Sequence, residues 1–349
     1  MVAGSQNFWQ IFSGRLVTGV GVGLAFVIAP LYAAELSPPG MRATVVTATE
    51  VMINAGVLLG YLSAVIICMP GLAPSMAWRL VTGMAAVPAC LTFACFPWLP
   101  ESPRWLARVQ RRPEADSVLK KLYTSQEAAE ALQQIDEESN AESEDLGWHE
   151  ILLPSRPVRR MLLAGLGCAF FQQVSGSEAI VYYTPTILNS FGITSQQGQS
   201  FGAMAVGLAK LGGCGLGAIL LDRIGRRPSV LGSCMGTTAC MVALAALHSA
   251  APVLGIVLLC SFMLFFEIGL APAAFVLGTE CYPLPIRAKG LALGMFTTRL
   301  LSGLVAVMFP WLVSRFSLTS CLWACSGVGC VSVLWALTCV PETRGLSLE

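Results

Sequence analysis

Residues 170–185 read FFQQVSGSEAIVYYTP, and the interpretation of the whole chain starts from this stretch. It lies in an apolar run long enough to cross a membrane, yet it contains two amides (Gln172, Gln173), a carboxylate (Glu178) and a tyrosine pair. Hydrocarbon would leave these groups without hydrogen-bond partners, at a high cost in free energy. We therefore expect this helix to face a hydrated cavity, where its polar groups hydrogen-bond a species that comes and goes.

The composition places the chain in a membrane. Of its 349 residues, 55% are hydrophobic and 12% are charged, against roughly 25% charged residues in soluble proteins. The mean hydropathy is +0.69. These values predict an all-α polytopic membrane protein. A net charge of +1 gives no reason to expect a nucleic-acid partner.

The sequence contains none of the patterns that indicate catalysis or metal binding. Its thirteen cysteines are scattered through apolar segments without CxxC or Cys/His spacing, which is typical of packing residues. We find no nucleophile paired with a base and no phosphate-binding loop. We therefore expect no enzymatic activity, no metal and no cofactor.

Hydropathy predicts nine membrane spans of about 20 residues, the length that a bilayer requires. Basic residues fall on alternate loops, which the positive-inside rule places in the cytoplasm. The one long polar loop, residues 101–158, is then cytoplasmic, and Val118, Leu119 and Leu122 have the spacing of an amphipathic helix within it. The predicted spans are residues 8–34, 44–68, 78–99, 160–188, 200–221, 229–249, 253–279, 288–312 and 319–340.

A weak internal repeat relates the two sides of this loop. AELSPPGMRA after the first span matches TECYPLPIRAKG after the seventh, and PESPRW after the third matches PETRG after the last. Duplicated halves are typical of transporters built from parallel repeats. We therefore predict three parts: residues 1–100 as part of an N-terminal bundle, 101–158 as a linker of amphipathic helices and 159–349 as a C-terminal six-helix bundle.

Six charged residues lie inside the predicted spans and clear of their ends, where each charge costs at least about 2.5–3.5 kcal/mol. We expect them to share an aqueous cavity, although snorkelling or structural pairing remains an alternative. Carboxylates, amides and guanidinium groups suit a hydroxyl-rich solute, because each hydroxyl is both donor and acceptor. Tyr182 and Phe275 are candidates for stacking on a sugar, with ordinary packing as the alternative. The six residues are Arg15, Glu50, Glu178, Lys210, Glu267 and Arg299.

Further charged residues recur at the predicted cytoplasmic helix ends. Opposite charges there can form weak ion pairs, about 0–1 kcal/mol each, which suits a gate that opens in every cycle. The alternative is that they only anchor the topology. The gate candidates are Glu35, Arg42, Glu101, Arg104, Asp222, Arg226, Glu280, Arg287, Glu342 and Arg344.

Taken together, PESPRW, FFQQVSG, DRIGRR, TECYPLPIRA and PETRG resemble the sugar porter family of the major facilitator superfamily, in that family's order. Within it, the chain is most similar to plant-type polyol and monosaccharide proton symporters. The resemblance implies the major facilitator fold with nine of its twelve transmembrane helices, the first three being absent from this sequence. It also implies a role for Arg15 in proton coupling. Its implied solute ligands are Glu50, Gln172, Gln173, Glu178, Lys210, Phe275 and Thr298, to which the residues themselves add Tyr182 and Arg299.

We therefore expect a secondary transporter of a monosaccharide or polyol that works by alternating access and is coupled to protons in its full-length form. Its partners would be the solute, protons and the lipid bilayer, with the plasma membrane preferred over an internal one. Two departures leave the solute open: Phe275 stands where the family has a stacking tryptophan, and Glu267 stands where a small residue is usual. A facilitative carrier and a transport-dead sugar sensor remain alternatives.

Overall fold

The computed structural model describes residues 2–38, 41–68, 73–140, 148–247, 251–282 and 284–342. Every regular element in these ranges is a helix, as expected of an all-α protein. Two short 3-10 helices, Val2–Gly4 and Phe96–Trp98, accompany the α-helices. The α-helices are α1 (Phe8–Leu36), α2 (Arg42–Cys68), α3 (Pro74–Met84), α4 (Ala86–Cys95), α5 (Pro103–Arg108), α6 (Arg112–Leu122), α7 (Ser125–Asn140), α8 (His149–Leu152), α9 (Arg156–Val174), α10 (Ser177–Ser190), α11 (Gln196–Ile224), α12 (Arg226–Ala246), α13 (Pro252–Ile268), α14 (Leu270–Glu280), α15 (Leu284–Phe316) and α16 (Leu318–Cys339).

The chain divides into two compact units, Met1–Ser143 and Glu144–Glu349. In the first unit, the short helices α5–α7 pack on one another and on the end of α1. Leu106, Ala115 and Val118 form a buried cluster against Leu36, and the Tyr123 hydroxyl donates to the Leu36 carbonyl at 2.8 Å. The predicted three-part division, with boundaries at residues 100 and 158, stays a prediction.

The second unit is built on one large core shared by α9–α14 and α16. Its fully buried side chains include Ile180, Leu244, Leu259 and Phe262. Glycines allow the helices to approach closely. A Cβ at Gly165 would lie 2.2 Å from the Tyr282 hydroxyl, and one at Gly217 would lie 2.2 Å from the Glu267 carbonyl oxygen. Small residues at helix contacts are the usual means of packing helices in a membrane.

Eight stretches of the described chain are long and apolar enough to cross a membrane: Phe8–Leu36, Ala48–Ile67, Ser75–Trp98, Gln196–Leu221, Arg226–Ala246, Pro252–Gly278, Ile286–Phe316 and Leu318–Cys339. They coincide with eight of the nine predicted spans. The ninth, residues 160–188, is not one helix but two, α9 and α10. The break lies at Gly176, whose φ of +103° is a left-handed conformation that glycine adopts without strain.

A second break lies at Gly269, between α13 and α14. Pro272 explains it, because proline lacks the N–H that would bond to the carbonyl four residues earlier and its ring clashes there. After the break, Pro272 sits in the first turn of α14, where that N–H would have no helical partner anyway.

Candidate functional site

The C-terminal unit contains a narrow cleft between α9, α14 and α15 with a cavity volume of about 20 Å³, which is enough for about one water molecule. Small residues on all three helices create this space. Its polar groups come from four residues: Gln172 on α9, Thr298 and Arg299 on α15, and Tyr282 before α15. The remaining lining residues are Gly165, Ala169, Ala274, Gly278, Gly290, Leu291, Gly294 and Met295.

Gln172 is held in the cleft wall by its neighbours. Its Nε2 donates to the Ala271 carbonyl of α14 at 2.9 Å, and its Oε1 accepts from Gln173 Nε2 at 3.3 Å. The Ser177 hydroxyl, on the far side of the Gly176 break, donates to the Gln172 carbonyl at 2.7 Å. Gln172 is therefore tied to the start of α14 through its side chain and to the start of α10 through its backbone carbonyl.

Two buried polar atoms beside Gln172 have no hydrogen-bond partner among the described residues: Gln173 Oε1 and Ser175 Oγ. Gln173 is 4% exposed and Ser175 is 3% exposed. An unpaired buried polar atom costs about 1–3 kcal/mol. Both atoms accept hydrogen bonds, and a hydroxyl donor would satisfy either of them.

A second polar group lies where α10 meets α15. The half-exposed Tyr182 places its hydroxyl 3.5 Å from Ser302 Oγ and interacts with Glu178 and Arg299. The adjacent Tyr183 is structural: its hydroxyl donates to the Ala306 carbonyl at 2.6 Å. It also stacks on Phe309 with ring centroids 5.1 Å apart.

Lys210 and Glu267 form an ion pair between α11 and α13. The carboxylate is fully buried, and the lysine side chain is 13% exposed. The ammonium also lies 5.8 Å from the centre of the Phe266 ring, within cation–π range. Lys210 does not line the cleft, so in this conformation its predicted role as a solute ligand competes with a role in the pair.

Several gate candidates make contacts within their own unit. In the second unit, Glu342 accepts the amide hydrogens of Arg226 and Arg227, at 3.0 and 3.3 Å, at the start of α12. A carboxylate is favourable there because the N-terminus of a helix carries partial positive charge. Arg287 donates to the Tyr282 carbonyl at 3.0 Å. In the first unit, Glu35 Oε2 accepts from the Ser102 hydroxyl at 2.5 Å.

The structure thus brings together Gln172, Gln173, Thr298 and Arg299, with Glu178 and Tyr182 next to them. Arg15 and Glu50 lie on α1 and α2 of the other unit. Glu101 and Arg104 also belong to that unit, at the start of α5. Predictions for the side chains of Arg42, Asp222, Phe275 and Glu280, and for Arg344, lie outside what the structure describes.

The sequence interpretation missed three participants: the Ala271 carbonyl, Tyr282 and Ser302. Ser302 had a usable signal, because it follows Thr298 by one helical turn and so shares its face of α15. Tyr282 is buried, which raises its pKa and keeps its hydroxyl protonated. No sequence pattern marked its contacts with the glycines on α9 and α15.

Comparison with known proteins gives consistent results. The family profile described as "Sugar (and other) transporter" matches residues 1–349. "Probable polyol transporter 4" of Arabidopsis thaliana is 34% identical, the alignment covering 100% of this chain and 68% of that protein. "Major myo-inositol transporter IolT" of Bacillus subtilis is 32% identical, over 99% of this chain and 74% of that protein.

Solved structures agree with these relatives. The Escherichia coli xylose transporter XylE, in a partially occluded inward-open conformation, superposes with a TM-score of 0.81 at 26% identity, covering 95% of this chain and 71% of XylE. The same major facilitator protein, described as a proton:xylose symporter bound to 6-bromo-6-deoxy-D-glucose, gives a TM-score of 0.76 at 27% identity, covering 96% of this chain and 71% of that chain.

Proposed function

The chain belongs to the sugar transporter family, and from that premise we propose that it moves a polyol or a monosaccharide across a membrane by alternating access. One observation in the molecule itself carries the proposal. The cleft between α9, α14 and α15 is lined by the amide of Gln172, the hydroxyl of Thr298 and the guanidinium group of Arg299, all on otherwise apolar helices. These are groups that hydrogen-bond sugar hydroxyls, and the hydrocarbon of a bilayer would otherwise disfavour them.

The solute ligands that we propose in this unit are Gln172, Gln173, Glu178, Tyr182, Thr298 and Arg299. Lys210 and Phe275 remain proposals, as does Glu50 in the other unit. A polyol is favoured among solutes because the relatives include proteins named polyol and myo-inositol transporters. A linear or cyclic polyol also offers hydroxyl donors to the unpaired acceptors of Gln173 and Ser175.

We further propose that transport is driven by protons, with Arg15 as part of the coupling site, since the related XylE is described as a proton:xylose symporter. The plasma membrane is the proposed location, with residues 101–158 in the cytoplasm. The gate candidates would make and break their contacts at that cytoplasmic face in each cycle.

Uptake into proteoliposomes tests the proposal. Labelled sorbitol, mannitol, myo-inositol and glucose are offered with and without an inward proton gradient. Saturable uptake that rises with the gradient supports a symporter, and saturable uptake indifferent to the gradient identifies a facilitative carrier. Gln172→Ala should lower the affinity at least about tenfold, because a buried solute hydroxyl loses its partner.

Binding measured alongside uptake separates the remaining outcomes. Saturable binding without flux identifies a transport-dead sensor. If the protein neither binds nor takes up any of the four solutes, the proposal is wrong. The exposed Lys121, on α6, provides a matched control, because Lys121→Ala lies far from any proposed ligand in the sequence and should leave both measurements unchanged.

A further inference from the structure

The Gly269 break is held at the start of α14 by two hydrogen bonds. The Gln172 amide donates to the Ala271 carbonyl at 2.9 Å, and the Leu270 amide hydrogen is donated to Ser233 Oγ of α12 at 3.0 Å. On the other side of the break, Glu267 lies in the last turn of α13, two residues before Gly269, and pairs with Lys210. The ion pair and the solute cleft therefore meet at the same interruption.

The burial of Glu267 is exceptional within the described part of the chain, where it is the one charged residue classed as buried, at 0% exposure. Glycines on α11 make this burial possible. A Cβ at Gly213 would lie 2.9 Å from the Cβ of Glu267, and one at Gly217 would lie 2.2 Å from its carbonyl oxygen. Helix α11 thus presses directly on the last turn of α13.

A buried ion pair is a poor choice if stability is the only requirement. Apolar side chains of similar volume often stabilise a buried site as well or better. In a membrane-spanning segment the desolvation of both charges adds to that disadvantage. An ion pair differs from apolar packing in fixing direction and distance, because one ammonium must meet one carboxylate.

Resting on the proposed function, we infer that the Lys210–Glu267 pair positions the solute site. By fixing the last turn of α13 against α11, it sets the geometry of the Gly269 break, and hence where α14 begins. Helix α14 supplies Ala274 and Gly278 to the cleft and the carbonyl that orients Gln172. In this conformation neither charged residue lines the cleft, so the inferred positioning acts through α14.

Neutral variants test this inference with two readouts. They are Glu267→Gln, Lys210→Met and the double variant Lys210→Met with Glu267→Met, which removes both charges and so leaves no unpaired charge to unfold the bundle. We expect each to weaken binding of labelled sorbitol, mannitol, myo-inositol or glucose by about tenfold. We also expect faster hydrogen exchange at residues 270–274. Lys210→Arg keeps the charge and should stay within about threefold of the wild type in affinity.

The double variant is decisive. If the ion pair serves stability alone, the double variant should regain both the wild-type affinity and the wild-type rate of hydrogen exchange. That result would overturn the inference, as would a Lys210→Arg variant that binds as weakly as the Lys210→Met variant. The exposed pair Lys120–Asp116 is the matched control, and Lys120→Met with Asp116→Asn should change neither readout. If the wild type binds none of the four solutes, the proposed function fails, while exchange at α14 still decides the inference.

Discussion

Gln173 illustrates at the scale of one residue how a binding site differs from a packed core. Its Nε2 donates a hydrogen bond to Gln172 Oε1, but its own Oε1 has no partner among the described residues. Thr237, also buried, donates to the Ser233 carbonyl of its own helix at 2.8 Å. A satisfied group contributes to stability, whereas an unsatisfied acceptor costs free energy until something donates to it.

Substituting these two residues should therefore have different effects. Gln173→Leu removes an unpaired acceptor but also the donor to Gln172 Oε1, so its effects on the free energy of unfolding should nearly cancel, while solute binding weakens at least about tenfold. Thr237→Val should lower stability slightly and leave binding unchanged. Thermal unfolding in detergent and equilibrium binding provide the two measurements. A Gln173→Leu protein that loses stability but keeps its affinity would show that the amide is structural.

Gly176 carries a prediction about backbone conformation. Its φ of +103° disfavours any side chain, and a Cβ there would lie 2.1 Å from Met241 Cε. Gly176→Ala should cost about 1–3 kcal/mol of stability. The matched control is Gly232→Ala, in the interior of α12, where a Cβ would meet nothing within 4 Å and should stabilise the helix by about 0.5–1 kcal/mol. Equal melting temperatures for the two variants would contradict this account.

At the scale of an element, α7 begins with a capping box. The Glu127 amide hydrogen is donated to Thr124 Oγ1 at 3.4 Å, and Glu127 Oε2 accepts from the Thr124 amide and hydroxyl at 3.1 and 2.7 Å. These hydrogen bonds lower the pKa of Glu127 below its ordinary value, and the bond from the Thr124 hydroxyl has the largest effect. The capping contribution of Glu127 to stability is therefore fully present above the pKa of a free glutamate. It is lost as the pH falls through the lowered pKa of Glu127 in the folded protein.

Thr124→Ala should accordingly speed hydrogen exchange in the first turns of α7 by about fivefold at neutral pH, the effect of losing a typical N-cap. Lowering the pH through the pKa of Glu127 should shrink the difference between variant and wild type. Thr92→Ala offers a control, because the Thr92 hydroxyl only bonds back to Pro88 within α4. If the hydrogen-exchange rates in α7 change neither with the substitution nor with the pH, the capping box does not stabilise this helix.

Helix existence was predictable from the sequence, but helix continuity was not. Apolar length alone located eight stretches correctly, because a bilayer demands about 20 apolar residues. The span at residues 160–188 was wrong as one helix, since the left-handed Gly176 separates α9 from α10. Proline alone does not decide continuity either, since Pro272 follows a break at Gly269 whereas Pro30 lies inside a continuous α1.

The site was predictable to a similar degree. Polar residues in an apolar segment pointed to Gln172 and Arg299, and the family resemblance pointed to Thr298. All three line the cleft. The same rule placed Lys210 and Glu267 in that cavity, but the structure pairs them with each other. Sequence spacing says which face of its own helix a residue occupies, not which neighbouring helix meets that face. Glu178 and Tyr182, one turn apart on α10, could be grouped for this reason, while the partner of Lys210 could not.

At the scale of the whole molecule, the family profile confirms the resemblance first indicated by short motifs. The TM-score of 0.81 with XylE confirms the major facilitator fold over 95% of this chain. Eight apolar stretches among the described residues agree with a multi-pass membrane protein. The fold does not say which side of the membrane each loop occupies, and the distribution of charge supplies a prediction.

Basic residues alternate along the chain in a way that predicts orientation. The segment joining the third and fourth predicted spans contains Arg104, Lys120 and Arg156 among others, whereas residues 189–199 contain neither Lys nor Arg. Loops rich in Lys and Arg lie on the cytoplasmic side of membrane proteins, which predicts that residues 101–158 are cytoplasmic and residues 189–199 are not.

Single cysteines placed at the exposed positions Lys121 and Gln197 should therefore face opposite sides of the membrane. In intact cells, a membrane-impermeant maleimide should label Gln197→Cys above the wild-type background, and Lys121→Cys only after permeabilisation. The wild type controls for its own thirteen cysteines, and the reverse pattern would place residues 101–158 outside the cell.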